Sequence, residues 1–122
     1  MYGHVNNVVY GQWIDTIVNN YLIEKCLFNP LKSSSMGFVV SSYCNYYSPI
    51  SYPSIVHLGL FVKRIGNSSV DYTVGIFHSK ESLKASSVGG FTHVFVHRTT
   101  NRPQPLDKFF REKLIEISDK VV

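Results

Sequence analysis

Residues 8–24 carry an apolar stripe that is broad for a helix exposed to water. Its apolar side chains come in pairs separated by polar residues: Trp13-Ile14, Ile17-Val18 and Tyr21-Leu22, with Tyr10 ahead of them. Spacings of three and four positions place these pairs on one face of an α-helix. We therefore expect a helix over residues 8–24, with Asn6 or Asn7 as its N-cap, and a sheet that wraps around its apolar face.

Four strand-like runs follow this helix. They are rich in β-branched and aromatic residues, and they cover residues 38–47, 56–65, 70–78 and 88–98. Gly66-Asn67-Ser68 predicts a tight hairpin between the second and third runs. Gly89-Gly90, near the start of the fourth run, indicates a bulge or a close approach of the backbone.

Pro105 opens a second helical segment. Its apolar stripe consists of Leu106, Phe109, Phe110, Leu114 and Ile117. The order of elements is therefore one helix, four strands and one helix. A run of strands after a single helix predicts an α+β fold with an antiparallel sheet, and a length of 122 residues suits one domain over residues 1–122.

The charge distribution argues against a nucleic-acid or membrane partner. The net charge is +4, which suits an anionic partner such as a phosphorylated cofactor. The basic residues are scattered singly or in pairs, however, so a basic surface without a functional role explains the charge equally well. His93 and His97 share one face of the fourth run, but they lie too far apart along an extended strand to hold one ion. We expect no metal site.

The cysteines and the absence of apolar spans bear on the compartment. Cys26 and Cys44 show neither metal-ligand spacing nor a disulfide framework, which is typical of a reducing environment. The sequence has no secretory leader and no apolar run long enough to span a bilayer. We expect an intracellular protein, either cytoplasmic or mitochondrial.

The most specific motif lies in the first ten residues, Met1-Tyr2-Gly3-His4-Val5-Asn6-Asn7-Val8-Val9-Tyr10. Gly-His-Val-Asn-Asn, followed by two residues and Tyr, resembles the signature of the 4-hydroxybenzoyl-CoA thioesterase-like branch of the hotdog superfamily. Residues 36–40, 65–69 and 98–103 are similar to that branch as well, so the resemblance covers essentially the whole chain. It implies a hotdog fold, in which an antiparallel sheet wraps around a long central helix, here with an added C-terminal helix. It also implies acyl-CoA thioesterase activity, with coenzyme A as part of the substrate and no other cofactor.

By this resemblance, the backbone N–H of Asn7 stabilises the oxyanion of the thioester. A helix N-terminus presents unpaired N–H groups and the positive end of the dipole, and thioester hydrolysis develops negative charge on the carbonyl oxygen. Gly3 would let the backbone approach a ligand closely. His4 would contact the substrate or orient the turn, although hydrogen bonds from His4 and Asn6 that merely tie down the loop are the more ordinary explanation.

In this family an acidic residue acts as the nucleophile or as the base that activates water. The resemblance places that residue one position before Met1. The family's first strand would precede that residue. We therefore expect that the sequence is N-terminally truncated, with a short isoform that lost catalysis as the alternative. Asp15, on the polar face of the first helix, is the first candidate to replace the acid, since related hotdog enzymes use a helix carboxylate. A solvated helix residue is the more ordinary explanation of such an Asp.

The resemblance further implies that coenzyme A binds at a dimer interface, with its phosphates held by single surface cations. The candidates are Lys63, Arg64, Arg98 and Arg102. The candidates for lining the acyl pocket are Tyr10, Trp13, Ile14 and Phe38. Core packing explains these four equally well. We expect a homodimer or homotetramer in which residues 38–47 pair across a two-fold axis.

Two function classes remain open. The first is an acyl-CoA thioesterase, and the second is a non-catalytic hotdog subunit that binds acyl-CoA or serves as a structural partner. A hotdog dehydratase is a weaker third option because its active-site signature differs. The sequence contains no Gly-x-Ser-x-Gly elbow and no dinucleotide-binding glycine fingerprint.

Overall fold

The computed structural model describes residues 7–29, 31–47, 56–79 and 84–118. The elements are helix α1 at Asn7–Glu24, strands β1 at Ser35–Tyr46, β2 at His57–Ile65, β3 at Ser69–Phe77 and β4 at Ser87–His97, and helix α2 at Lys108–Glu116. The element order is the predicted one, and the boundaries of α1 and of the four strands agree with the prediction to within three residues.

The predicted start of the second helix is wrong, because α2 begins at Lys108 and not at Pro105. Asp107 is the N-cap residue, with an extended backbone at φ −70° and ψ 164°. Its carboxylate accepts a hydrogen bond of 2.8 Å from the backbone N–H of Phe110. This bond satisfies one of the N–H groups that a helix start leaves unpaired, so it sets the first turn after Asp107.

The four strands form one antiparallel sheet in the order β1-β4-β3-β2. β4 lies between β1 and β3, and its pairing with β1 runs from Ser35 opposite His97 to Tyr46 opposite Ser87. Among the described residues, β1 and β2 are therefore the two edges of the sheet. This arrangement confirms the predicted α+β class with an antiparallel sheet.

The apolar stripe of α1 lies against the inner face of this sheet. Tyr10, Ile14, Val18 and Leu22, which are four residues apart, are all buried. They form one cluster with inward-facing side chains of the strands and of α2: Val62, Val70, Tyr72, Val74, Ile76, Phe91, Phe95, Phe110 and Leu114. The first members of the apolar pairs, Trp13, Ile17 and Tyr21, are partly buried and pack against this cluster. The stripe is broad because both members of each apolar pair belong to this core or pack against it.

Gly89 and Gly90 mark the place where α1 and β3 come closest to β4. A Cβ atom on Gly90 would overlap the backbone carbonyl of Tyr72, and one on Gly89 would meet the Ile14 side chain at 2.5 Å. The strand register is regular at both glycines. Of the two alternatives predicted for Gly89-Gly90, the close approach of the backbone is confirmed and the bulge is wrong. The irregularities lie instead between Val39 and Ser41 in β1 and between Val62 and Arg64 in β2.

Neither helix combines the length with the apolar character that crossing a bilayer demands, as judged over the described residues.

Candidate functional site

A cavity of about 470 Å³ lies between α1 and the edge strand β1. It is lined by Gly11, Ile14 and Asp15 of α1, by Val39, Ser42, Tyr43, Cys44 and Tyr46 of β1, and by Gly90 and Phe91 of β4. Small side chains and two glycines face this space, so the helix and the strand stand apart here. The cavity adjoins the N-terminal half of α1, where the sequence analysis places its candidate site.

Aromatic rings pack together beside this cavity, near the start of α1. Tyr10 contacts Trp13 edge-on, with ring centroids 5.3 Å apart, and contacts Tyr46 in the same way at 5.0 Å. Removal from water, followed by the neighbouring Cys44, raises the pKa of Tyr46 to about 12. The Tyr46 phenol is therefore protonated at neutral pH and can donate a hydrogen bond at the cavity wall.

Asp15 is the only carboxylate among the residues that line this cavity. Its side chain is exposed. It follows Asn7, the first residue of α1, by eight positions, which corresponds to about 12 Å along the helix axis. Within one subunit, a group held at the start of α1 therefore lies two turns away from Asp15.

The N-terminal candidates are only partly within the described residues. Gly3 and His4 lie outside them. Asn7 begins α1, so its backbone N–H is among those that a helix start leaves unpaired. The Asn7 side chain falls outside the described part of the chain.

The other candidates do not line the large cavity. Tyr10 is buried in the core, and Trp13 is half-buried against it. Phe38 is 47% exposed on β1. Phe38 does not line the cavity, so Ile14 is the one candidate for the acyl pocket that does.

The four candidate cations lie at one end of the sheet. Lys63 and Arg64 are exposed on the edge strand β2, on the side opposite β1. Arg98 and Arg102 follow β4, whose last residue His97 pairs with Ser35 and therefore lies far from Tyr46 along β1. The Nε atom of Arg98 donates to the carbonyl of Ser33 at 3.0 Å. None of the four lies near the start of α1 within the same subunit.

A second cavity of about 160 Å³ follows the first along α1. It is lined by Asn19, Leu22, Phe28, Met36, Gly37, His93 and Phe95. The His93 side chain is 7% exposed, and its Nδ1 atom lies 3.1 Å from the hydroxyl of Tyr72. Burial lowers the pKa of His93 to about 4, so the ring is neutral at physiological pH.

The sequence analysis missed His93 as a site residue, as well as Ser42, Cys44 and Tyr46. The alternation of β4 places Phe91, His93, Phe95 and His97 on one face, and a histidine between two phenylalanines on that face is a signal that could have singled out His93. The β1 residues could not have been found in this way, because the cavity forms only when β1 meets α1. No group of three or more His, Cys, Asp or Glu side chains suited to a metal ion occurs in the ranges that the structure describes.

Comparisons with known proteins agree on one family. Residues 2–85 match the model of the Thioesterase superfamily. The structure is similar to that of the PA5185 protein from Pseudomonas aeruginosa, with a TM-score of 0.91 and 39% identity over 100% of this chain and 85% of that one. It is also similar to the PA2801 protein of that bacterium, named as a candidate thioesterase, with a TM-score of 0.79 and 25% identity over 90% of this chain and 84% of that one.

A third similar structure is a thioesterase from Thermus thermophilus complexed with coenzyme A and zinc. Its TM-score is 0.71, with 21% identity over 94% of this chain and 82% of that one. A comparison with curated proteins gives no match.

Proposed function

Since this chain belongs to the thioesterase superfamily and has the hotdog fold, we propose that it hydrolyses acyl-CoA thioesters in the cavity between α1 and β1. One observation carries the proposal. A cavity large enough for part of an acyl chain adjoins the N-terminal half of a long helix, and it is lined by one carboxylate and two phenols. The coenzyme A bound to the Thermus thermophilus protein supports this substrate class.

The reaction needs stabilisation of the oxyanion and a proton acceptor. In our proposal, the thioester oxygen accepts a hydrogen bond from a backbone N–H at the start of α1, which we assign to Asn7. A water molecule attacks the carbonyl carbon and gives a proton to a base. The tetrahedral intermediate then collapses, the C–S bond breaks, and the sulfur takes up a proton. The products are the free acid and coenzyme A.

Asp15 is the candidate base among the residues that line the cavity. Because Asp15 and the Asn7 amide lie about 12 Å apart along one helix, they cannot act on the same thioester within a single subunit. If both take part, the oxyanion donor and the base come from two subunits. Catalysis by Asp15 is therefore tied to a dimer.

We propose that β1 forms the dimer interface. Among the described residues it is an edge strand, and six apolar side chains on it or directly after it are at least 44% exposed: Phe38, Val39, Val40, Tyr43, Tyr46 and Tyr47. Pairing of two β1 edges would cover this surface and satisfy the unpaired backbone groups of the edge.

The proposed pairing also accounts for the position of the cations. A two-fold axis makes two neighbouring β1 strands antiparallel, so the Ser35 end of one strand lies beside the Tyr46 end of the other. Arg98 and Arg102 of the partner subunit would then lie on the side of the cavity near the start of α1. There they could bind the phosphates of coenzyme A.

The test is thiol release from a panel of acyl-CoAs. The protein is expected to release coenzyme A, and Asp15→Asn is expected to lower kcat about a hundredfold or more. Glu24→Gln is the matched control, because Glu24 is an exposed carboxylate at the end of the same helix and outside the cavity. Unchanged hydrolysis by Asp15→Asn would exclude Asp15 as the base, whereas no release from any acyl-CoA would refute the enzymatic proposal.

A non-catalytic acyl-CoA-binding subunit is the second candidate. It is favoured by the distance of about 12 Å along α1 that separates Asn7 from Asp15, the only carboxylate among the residues that line the cavity. Calorimetry separates the two candidates. Stoichiometric acyl-CoA binding without thiol release would support this second function.

A further inference from the structure

The second cavity has one polar group at its floor. Leu22, Phe28, Met36 and Phe95 make most of its lining apolar, and His93 together with Asn19 supplies the polar side chains. Asn19 is exposed on the rim, whereas His93 is 7% exposed. An apolar ligand in this cavity would therefore cover the imidazole of His93 without giving it a hydrogen bond.

The hydrogen-bond network assigns the tautomer of His93. Burial raises the pKa of the Tyr72 phenol far above its ordinary value, so its hydroxyl is protonated. Its bond to His93 Nδ1 is the only hydrogen bond of that hydroxyl within the described residues. A buried hydroxyl with one partner keeps its proton paired by donating it, so we take Tyr72 as the donor and Nδ1 as the acceptor. The neutral ring then carries its proton on Nε2. This N–H has no acceptor within the described part of the chain.

The two cavities follow one another along α1 and β1. The first is lined by α1 residues 11–15 and the second by Asn19 and Leu22, the next two turns of the same helix. Along β1 the lining passes from Tyr46 to Met36 in the same direction. Asn19 lies twelve positions after Asn7, about 18 Å along the helix. An acyl chain whose thioester lies at the start of α1 must therefore be long in order to reach His93.

Resting on the proposed function, we infer that the preferred substrate is a long-chain acyl thioester with a hydrogen-bond-accepting oxygen at its distal end, bound by the Nε2–H of His93. His93 is then a specificity-determining residue rather than a catalytic one. A hydroxyl or a ketone oxygen satisfies the donor. A terminal methyl group leaves it buried and unpaired, which lowers affinity on the order of tenfold to a hundredfold.

The experiment compares acyl-CoAs that differ only at the distal end. Lauroyl-, myristoyl- and palmitoyl-CoA are each assayed beside their terminally hydroxylated forms and beside terminal methyl ketones of matched length. For the length that reaches His93, the oxygenated forms are expected to exceed the plain form in kcat/KM by about tenfold or more. The shorter chains show no such preference because their oxygen stops in the first cavity.

Three variants isolate the role of the histidine. His93→Phe is expected to abolish or invert the preference for oxygenated chains, and His93→Gln, whose amide retains an N–H donor, is expected to keep part of it. Tyr72→Phe removes the hydrogen bond that keeps the proton of His93 on Nε2. The kcat/KM for the ketone should therefore fall more than the kcat/KM for the hydroxylated chain, because a hydroxyl can also donate to an unprotonated Nε2. Melting temperatures establish that each variant is folded. Equal kcat/KM for plain and oxygenated chains in the unmodified protein would overturn the inference and leave the thioesterase proposal intact.

Binding supplies a readout that does not depend on turnover. Non-hydrolysable thioether analogues of the plain and the hydroxylated acyl-CoA are titrated by calorimetry. Tighter binding of the hydroxylated analogue, lost in His93→Phe, would support the inference even if no thioester is hydrolysed. Absence of hydrolysis refutes only the proposed function, and equal binding of the two analogues refutes only the inference.

Discussion

The hydroxyl of Tyr72 on β3 lies 3.1 Å from Nδ1 of His93 on β4, and both side chains are buried beneath α1. The His93 ring contacts the Tyr72 ring edge-on, and two further aromatic rings, those of Phe91 and Phe95, pack against it in the same way. Charging the imidazole there would place a cation among apolar rings. The stability of the fold should therefore depend on the protonation of a single histidine.

We predict that the protein loses stability as the pH falls from about 6.5 to about 4. The pKa of His93 is lowered from 6.5 to about 4 in the folded chain because burial disfavours the imidazolium. The unfolded chain therefore takes up a proton first, and the free energy of unfolding falls by about 3 kcal/mol across this window. Urea denaturation at several pH values measures the effect. His93→Gln should flatten the profile and His57→Gln should not; equal profiles for all three proteins would contradict the prediction.

We predict that Leu27→Gly stabilises the fold by about 1 kcal/mol. Leu27 has φ at 56°, in the left-handed region that glycine favours, just after α1 ends. The backbone N–H of Phe28 donates to the carbonyl of Leu22 at 2.9 Å, so the chain folds back onto the end of the helix directly after Leu27. Leu27 is 72% exposed, so little burial is lost. Leu27→Ala keeps the Cβ atom and should give no comparable gain in melting temperature.

We predict opposite effects of alanine at two glycines. Gly90→Ala should destabilise the fold by about 2 kcal/mol or more, because its Cβ atom would overlap the Tyr72 carbonyl in the adjacent strand. Gly11 lies within α1 with nothing within 4 Å of an added Cβ, so Gly11→Ala should stabilise by about 1 kcal/mol. Thermal unfolding compares the two. A stable Gly90→Ala protein would mean that β3 and β4 can move apart at this point.

We predict that Val40→Asp converts the proposed dimer to a monomer. Val40 is 60% exposed on β1 at the irregularity between Val39 and Ser41, so a carboxylate there would face its symmetry mate across the paired edges. Light scattering after size exclusion measures the mass. Leu31→Asp, at a residue that is 87% exposed and outside β1, is the matched control. A dimer that survives Val40→Asp would place the interface elsewhere.

The apolar spacing in α1 shows how far sequence reasoning carries. Ile14, Val18 and Leu22 repeat at a helical period, and the helix buries those residues. Asp107 shows the opposite case. Proline is common in the first turn of a helix, so the sequence predicts a helix start at Pro105. The carboxylate of Asp107 instead accepts a hydrogen bond from the backbone N–H of Phe110, and the helix begins three residues later, at Lys108.

By itself, the sequence determined which segments are helix and strand, which of their faces are apolar, and which superfamily motif they carry, because these properties depend on residues near one another in the chain. Only the tertiary structure decided that β1 lies beside β4, that Asp15 and Cys44 share a cavity, and that the hydroxyl of Tyr72 meets His93. The hydrophobic periodicity of a strand predicts which of its faces is buried, but it does not predict which strand lies beside it. That choice depends on how all the apolar faces pack together around α1.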